Sequence, residues 1–184
     1  LLALNVSVDI LDAFAIVNDG LETSNASVEN KIKDYYLTFE QQYEKQPEKA
    51  ADYWNKAQEI RKETDAIINY IESEIKLPLI MVTEEVTKEE VFNPKDEKKA
   101  LIRNKEKADI NKNRRIFHEF NLKNISAKDK YDAPTNFMIN EGKATELRNK
   151  IDEYRVKVIG TMQTAGINNY SDKIGLRTDG EYYD

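Results

Sequence analysis

Apolar residues recur every three or four positions over long stretches of this 184-residue chain, which is the spacing of one face of an α-helix. The longest stretch runs from Pro47 to Leu77, and Pro47 suits a first helical position. Its apolar face consists of Ala50, Trp54, Ala57, Thr64, Ile68, Ile71 and Ile75. We predict a helix about 45 Å long that ends before Pro78, because proline disfavours the helical conformation in the preceding residue.

Similar patterns predict further helices on both sides of this one. Residues 27–46 carry the apolar face Val28, Ile32, Tyr35, Tyr36, Phe39 and Tyr43. Residues 143–164 carry the face Leu147, Ile151, Tyr154, Val158 and Met162, and Gly166 is a natural stop. The segment Gly20–Ala26 is either a short break or a bend within one long helix.

Shorter signals complete the prediction of the fold. Thr87 and Glu90 have the spacing of a capping box, which predicts a short helix, and residues 121–142 read as a loop. The chain has only six glycines and four prolines, which favours helices over strands. We therefore expect an all-α fold, an elongated antiparallel helical bundle in which neighbouring helices cover each other's apolar faces.

The first 22 residues form one more helical pattern, which starts without a cap. Asn5, Asp9, Asp12 and Asp19 fall in one polar stripe at about 100° per residue, and most of the remaining surface is apolar. The pattern fits the first helix of a soluble bundle, or the outer end of a transmembrane helix, whose complete span needs about 20 mostly apolar residues. The residues alone leave both interpretations open.

Composition argues against several classes of function. There is no cysteine and a single histidine, His118, so disulfides, thiolate sites and histidine clusters for a transition metal are excluded. The net charge of −6 argues against nucleic-acid binding. No glycine-rich loop precedes a helix, so a phosphate cradle has no support. We expect no enzyme, no catalytic residue, no metal and no cofactor.

A basic stretch at residues 95–115 stands out in this acidic chain, with nine Lys and Arg against four Asp and Glu. It fits a basic patch for an anionic lipid or an acidic partner. A solvated loop or helix face explains it more simply, and that is the interpretation we favour. The apolar residues that follow, Ile116, Phe117 and Phe120, are expected to fold back onto the bundle.

Two segments resemble a known family. Residues 2–21 (LALNVSVDILDAFAIVNDGL) resemble the junction after the transmembrane helix of the GldM family, also called PorM. Residues 131–138 (YDAPTNFM) and 142–154 (GKATELRNKIDEY) are similar to a later part of the first periplasmic domain of that family. The junction is the more specific of the two matches, and it favours the membrane interpretation of the first helix.

The resemblance implies a non-enzymatic shaft component of the type IX secretion and gliding motor in the bacterial inner membrane, with this domain in the periplasm. It implies a homodimer whose membrane helices lie inside a ring of GldL-like subunits, in an assembly driven by the proton motive force. It also implies contact with a GldK/GldN-like outer-membrane ring through distal domains that lie outside this chain. We expect the chain to couple proton-driven motion of the membrane complex across the periplasm.

These implications assign a role to each part of the chain. Residues 1–21 are the end of the transmembrane helix, residues 22–166 the helical-bundle domain, and residues 167–184 the start of a linker. The predicted contacts with membrane and ring are Leu1, Leu2, Leu4 and Val8. Asp9 and Asp12 mark the membrane exit, as hydrated interfacial carboxylates rather than proton carriers. The alternative function is a periplasmic ligand-sensing domain of a membrane receptor.

Overall fold

The computed structural model describes residues 8–102, 120–126, 130 and 132–168, with side chains from residue 16 onward. Helices dominate these residues, and the only strand-like pairing within them is a single antiparallel bridge between Ile102 and Phe120. The prediction of an all-α fold is confirmed. The chain divides into two compact units, Leu1–Trp54 and Asn55–Asp184.

Helix α1 (Val8–Lys45) is 38 residues long and passes through Gly20–Ala26 without interruption. Of the two alternatives for Gly20–Ala26, a break or a bend within one helix, the structure shows one continuous helix. The Thr23 hydroxyl donates a 3.0 Å hydrogen bond to the carbonyl of Asp19, one turn earlier, so the polar residues here follow the helix. The expected boundary between residues 21 and 22 falls inside α1.

Pro47 ends this helix and starts the next. Helix α2 (Pro47–Tyr70) begins with proline, which has no N–H to lose in a first turn, and the carbonyl of Gln46 accepts from the N–H groups of Lys49 and Ala50. The prediction that Pro47 opens a helix is confirmed.

The prediction that Pro78 ends this helical stretch is wrong. A π-helical turn (Ile71–Lys76) follows α2 directly, and helix α3 (Leu77–Glu84) follows the turn, with Pro78 near its start. The N–H of Leu77 donates to the carbonyl of Glu72, five residues earlier. In a regular α-helix the proline ring clashes with the carbonyl four residues earlier. Here the hydrogen-bond pattern widens to five residues just before Pro78.

The helices and turns that follow α3 are shorter, and they contribute to the apolar centre of the second unit. Helix α4 (Lys88–Phe92) opens with the predicted capping box, in which Thr87 and Glu90 each accept from the other's backbone N–H. Two 3₁₀ turns follow, Glu97–Lys99 and Leu122–Asn124. The buried cluster consists of Leu77, Val91, Leu101, Ile102 and Phe120. The prediction that residues 116–120 fold back onto the bundle is confirmed for Phe120, whereas Ile116 and Phe117 lie outside the described residues.

The predicted loop at residues 121–142 is wrong in its second half. Helix α5 (Asp132–Thr135) and a π-helical turn (Asn136–Asn140) occupy it, and Phe137 is buried. Pro134 lies within the predicted loop, but the structure places it in the first turn of α5, where its missing N–H costs nothing. Helix α6 (Lys143–Thr164) has the predicted bounds, with Gly142 before it and Gly166 after it at φ of 77° and 76°.

Candidate functional site: helix α1 and the paired helices α2 and α6

The predicted membrane residues lie at the edge of what the structure covers. Leu1, Leu2 and Leu4 are outside the described residues, and Val8 is the first residue of α1. Asp9 and Asp12 lie in the first turns of α1, within the part described by its backbone alone. Their roles at a membrane therefore stay predictions. Among the described helices, none combines the length and the apolar character that crossing a membrane requires.

Helix α1 carries an exposed apolar stripe, made of Val17, Leu21, Val28, Ile32 and Tyr35. At about 100° per residue these five side chains fall within about 60° of one another. Val17, Leu21 and Val28 are 57%, 59% and 51% exposed. Leu21, Val28 and Tyr35 recur every seven residues, which is the period of a seam between two helices. We call these five residues the α1 stripe.

The C-terminal end of the same face is covered within the first unit. Trp54 of α2 stacks on Tyr43 with ring centroids 5.8 Å apart, and it meets Phe39 edge-on at 5.4 Å and Tyr36 at 6.4 Å. Eighteen residues of one straight helix span about 27 Å, so a ring contact between Tyr36 and Trp54 requires the chain to reverse direction between these two residues. Edge-to-face and stacked rings of this kind stabilise beyond their buried area.

Within the second unit, α2 and α6 run antiparallel. Residue numbers rise along α2 as they fall along α6 in three hydrogen bonds: Lys56 to the Thr164 carbonyl at 2.7 Å, Lys157 to Glu63 at 2.8 Å, and Tyr154 with Thr64 at 2.9 Å. The Thr64 hydroxyl already donates to the carbonyl of Ile60, so Tyr154 is the donor of the third bond. Thr64 and Tyr154 belong to the apolar faces predicted for the two helices, and they are in contact here.

A small polar cluster lies near the start of α6. Burial, and then the neighbouring Glu146 carboxylate, raise the pKa of Tyr70 to about 12. The Tyr70 hydroxyl is buried, and no partner in regular hydrogen-bond geometry is found among the described residues. The Lys143 ammonium, 2.8 Å from Glu146, and secondarily the Tyr70 hydroxyl, hold the pKa of Glu146 below its usual range. A tyrosine kept neutral and a carboxylate kept ionised exchange no protons near neutral pH.

Among the described residues there is no group of three or more acidic or histidine side chains placed to hold a metal ion. His118 and most of the basic stretch 95–115 lie outside the described residues. The described features are a long helix with an apolar stripe, an aromatic anchor around Trp54, and a pair of helices joined by hydrogen bonds.

Comparison with protein families gives a match. The model of the GldM N-terminal domain matches residues 9–113 and 95–181. The chain belongs to the GldM N-terminal domain family. The family resemblance is thereby confirmed, and the match covers residues 131–154 and the part of residues 2–21 from Asp9 onward. Comparison with curated proteins gives no match, and comparison with solved structures gives none either.

Membership of the GldM family indicates a component of the gliding and type IX secretion machinery, and the family is not known as an enzyme family. Sequence reasoning placed Val17 and Leu21 in the helical pattern of the first 22 residues, and Val28, Ile32 and Tyr35 on the face of residues 27–46. It did not join them, because Gly20–Ala26 left the continuity of α1 open. It also missed the hydrogen bond from Lys56 to the Thr164 carbonyl and the ion pair of Lys157 with Glu63. No sequence signal exists for them, since charged residues are frequent throughout the chain.

Proposed function

We propose that this chain is a non-enzymatic shaft component of the type IX secretion and gliding motor. In this role it couples proton-driven motion of an inner-membrane GldL–GldM complex across the periplasm. Membership of the GldM N-terminal domain family is the observation that carries the proposal. Leu1, Leu2, Leu4 and Val8 then contact membrane and ring, and Asp9 and Asp12 mark the membrane exit.

The continuity of α1 supports this role. A motion that starts at the predicted membrane exit can reach the rest of the domain only through a segment that does not bend freely. Helix α1 runs from Val8 to Lys45 without a break, so it offers about 55 Å of continuous helix. The aromatic anchor around Trp54 then fixes its far end to α2.

The proposed assembly is a parallel homodimer around the α1 stripe. The five side chains of the α1 stripe lose contact with water when a second copy pairs along it, and burial of apolar area is the dominant favourable term in association. The other proposed partners are the GldL-like ring in the inner membrane and, through distal domains, the GldK/GldN-like ring in the outer membrane. Family membership favours this shaft over a ligand-sensing receptor domain.

The test is to interrupt α1 in the full-length protein inside cells. Gly20→Pro removes a helical hydrogen bond and introduces a clash, at a cost of about 3 kcal/mol or more. We expect it to abolish gliding and type IX secretion while the protein remains in the membrane at its normal level.

Gly20→Ala is the matched control. Apart from the adjacent residues and the backbone of the same helix, no atom lies within 4 Å of a Cβ built on Gly20, and alanine favours a helix by about 1 kcal/mol over glycine. This variant is expected to keep full motility and secretion. Normal gliding and secretion by the proline variant would contradict the coupling role of α1.

A further inference from the structure

Residues 97–102 and 120–126 form a two-sided strap in the second unit. An antiparallel bridge joins Ile102 to Phe120, and the N–H of Asn121 donates to the Leu101 carbonyl at 2.7 Å. The Asn124 side-chain amide donates to the carbonyls of both Lys98 and Ala100, at 2.9 Å each. These bonds hold the two sides of the strap to each other, since all of their donors and acceptors belong to it.

The strap is attached to the rest of the unit by an apolar patch, by the Glu84 carboxylate and by the Lys76 ammonium, which lies 5.4 Å from the centre of the Phe120 ring. Leu101, Ile102 and Phe120 cover Leu77 of α3 and Val91 of α4. At the end of the strap, the Glu84 carboxylate accepts from the N–H of Ser126 at 3.0 and 3.1 Å, and from its hydroxyl at 2.6 Å. Glu84 thus attaches the end of the strap to α3 through hydrogen bonds from both the backbone and the side chain of Ser126.

The place of Glu84 in its own helix indicates that this attachment is its role. It is the last residue of α3, where the helix dipole disfavours a negative charge. A carboxylate there destabilises the helix slightly, and its hydrogen bonds with Ser126 offset this cost. Hydrogen bonds to an ionised acceptor are stronger than neutral ones.

The contacts between α2 and α6 involve other residues than those that hold the strap. The three hydrogen bonds that join these helices involve no residue of the strap. Val158, which is buried on α6, is not a member of the apolar cluster beneath the strap. The two regions therefore do not share the interactions that close them, and such regions open as separate cooperative units in many proteins.

We propose that the strap is a separately releasable element, which Glu84 holds closed over Leu77 and Val91. It opens while α2 and α6 stay paired, and opening exposes the apolar centre of the second unit. The strap thus opens before the paired helices α2 and α6 separate. This property does not depend on the proposed motor function.

Hydrogen exchange of the folded chain, measured amide by amide, tests the proposal. The reporters are the N–H groups of Asn121, Asn124 and Ile125 in the strap, each of which donates to a backbone carbonyl, and the amides of α6. Glu84→Gln removes the charge and keeps the shape. We expect exchange in the strap to become roughly tenfold faster, as for the loss of one charge-assisted hydrogen bond, and exchange in α6 to stay unchanged.

The control variant is Glu153→Gln, the same chemical change at an exposed position of α6, where the carboxylate faces Lys150 at 3.4 Å. It is expected to leave exchange in the strap unchanged. Equal acceleration of strap and α6 amides by Glu84→Gln would mean one cooperative unit and would overturn separate release. Unchanged strap exchange in that variant would overturn the role of Glu84.

Discussion

At the scale of single residues, one residue adopts a backbone conformation that is unfavourable for a residue with a Cβ atom. Glu85 follows α3 with φ of 56°, in the left-handed region, and it is the only non-glycine residue with positive φ among those described. Helices commonly end in this conformation, but glycine is the usual residue because its missing Cβ avoids a clash. The exposed contact of Glu85 with Lys130 compensates little, since exposed ion pairs contribute weakly.

Glu85→Gly is therefore expected to stabilise the protein by about 1 kcal/mol, which raises the melting temperature by about 3 °C. Thermal unfolding followed by circular dichroism measures it. Glu153→Gly, in the interior of α6, is the control and should lower the melting temperature by a similar amount. A lower melting temperature for Glu85→Gly would show that the Lys130 contact outweighs the strain.

A second residue-scale prediction concerns acid stability. Lys143 and secondarily Tyr70 hold the pKa of Glu146 below its usual range. Because the folded-state pKa lies below that of the unfolded chain, the stabilisation is complete above the ordinary glutamate pKa. It is lost as the pH falls through the folded-state value. Between about pH 6 and pH 3, the melting temperature of Glu146→Gln should fall less than that of the wild type.

Glu59→Gln, an exposed change on α2, is the control for the acid experiment, and its melting temperature should follow the wild-type curve more closely. Equal pH dependence of the wild type and Glu146→Gln would show that the Lys143 contact does not persist in solution.

At the scale of elements, proline and glycine acted according to their position. Pro47 and Pro134 stand in first helical turns, where a missing N–H costs nothing. Pro78 stands inside a continuous helical stretch and follows a π-helical turn. Gly20 lies within α1, whereas Gly166 ends α6 in the left-handed region. Sequence rules for these residues give a preference, and the packing around them decides whether the helix stops.

The aromatic anchor gives an element-scale prediction with a local reporter, because Trp54 is the only tryptophan. Phe39→Ala removes a ring 5.4 Å from Trp54, at a cost of about 2 kcal/mol for a half-buried side chain. We expect the Trp54 fluorescence to shift to longer wavelength as water reaches the indole. Tyr35→Ala, whose side chain is exposed, should leave the emission unchanged; an unshifted spectrum for both variants would contradict the anchor.

At the scale of the whole molecule, α1 carries a row of exposed large apolar side chains. Val17, Leu21 and Val28 are each more than half exposed. Contiguous exposed apolar surface on a soluble domain usually marks an interaction site. In the proposed shaft, a second copy covers this stripe, which makes the oligomeric state the property that most directly tests the assembly.

Val28→Glu places a charge at the centre of the α1 stripe without disturbing a buried contact. The full-length protein, purified in detergent with its membrane segment, is expected to be a dimer by light scattering, and this variant a weaker dimer or a monomer. Leu37→Glu makes the same change at an exposed leucine about 180° from Val28 on the helix, and should remain dimeric. A monomeric wild type would refute the proposed homodimer.

The sequence by itself determined the fold class, the bounds of α6, the capping box at Thr87 and the family. These depend on local spacing, since one helical turn or cap is specified by residues three or four apart. The tertiary structure decided that α1 is continuous, that the chain continues helically past Pro78, and that Phe120 returns to Leu77 and Val91. It also set the register of α2 against α6, because such contacts join residues far apart in sequence, and no local pattern encodes which of many similar apolar and charged faces will meet.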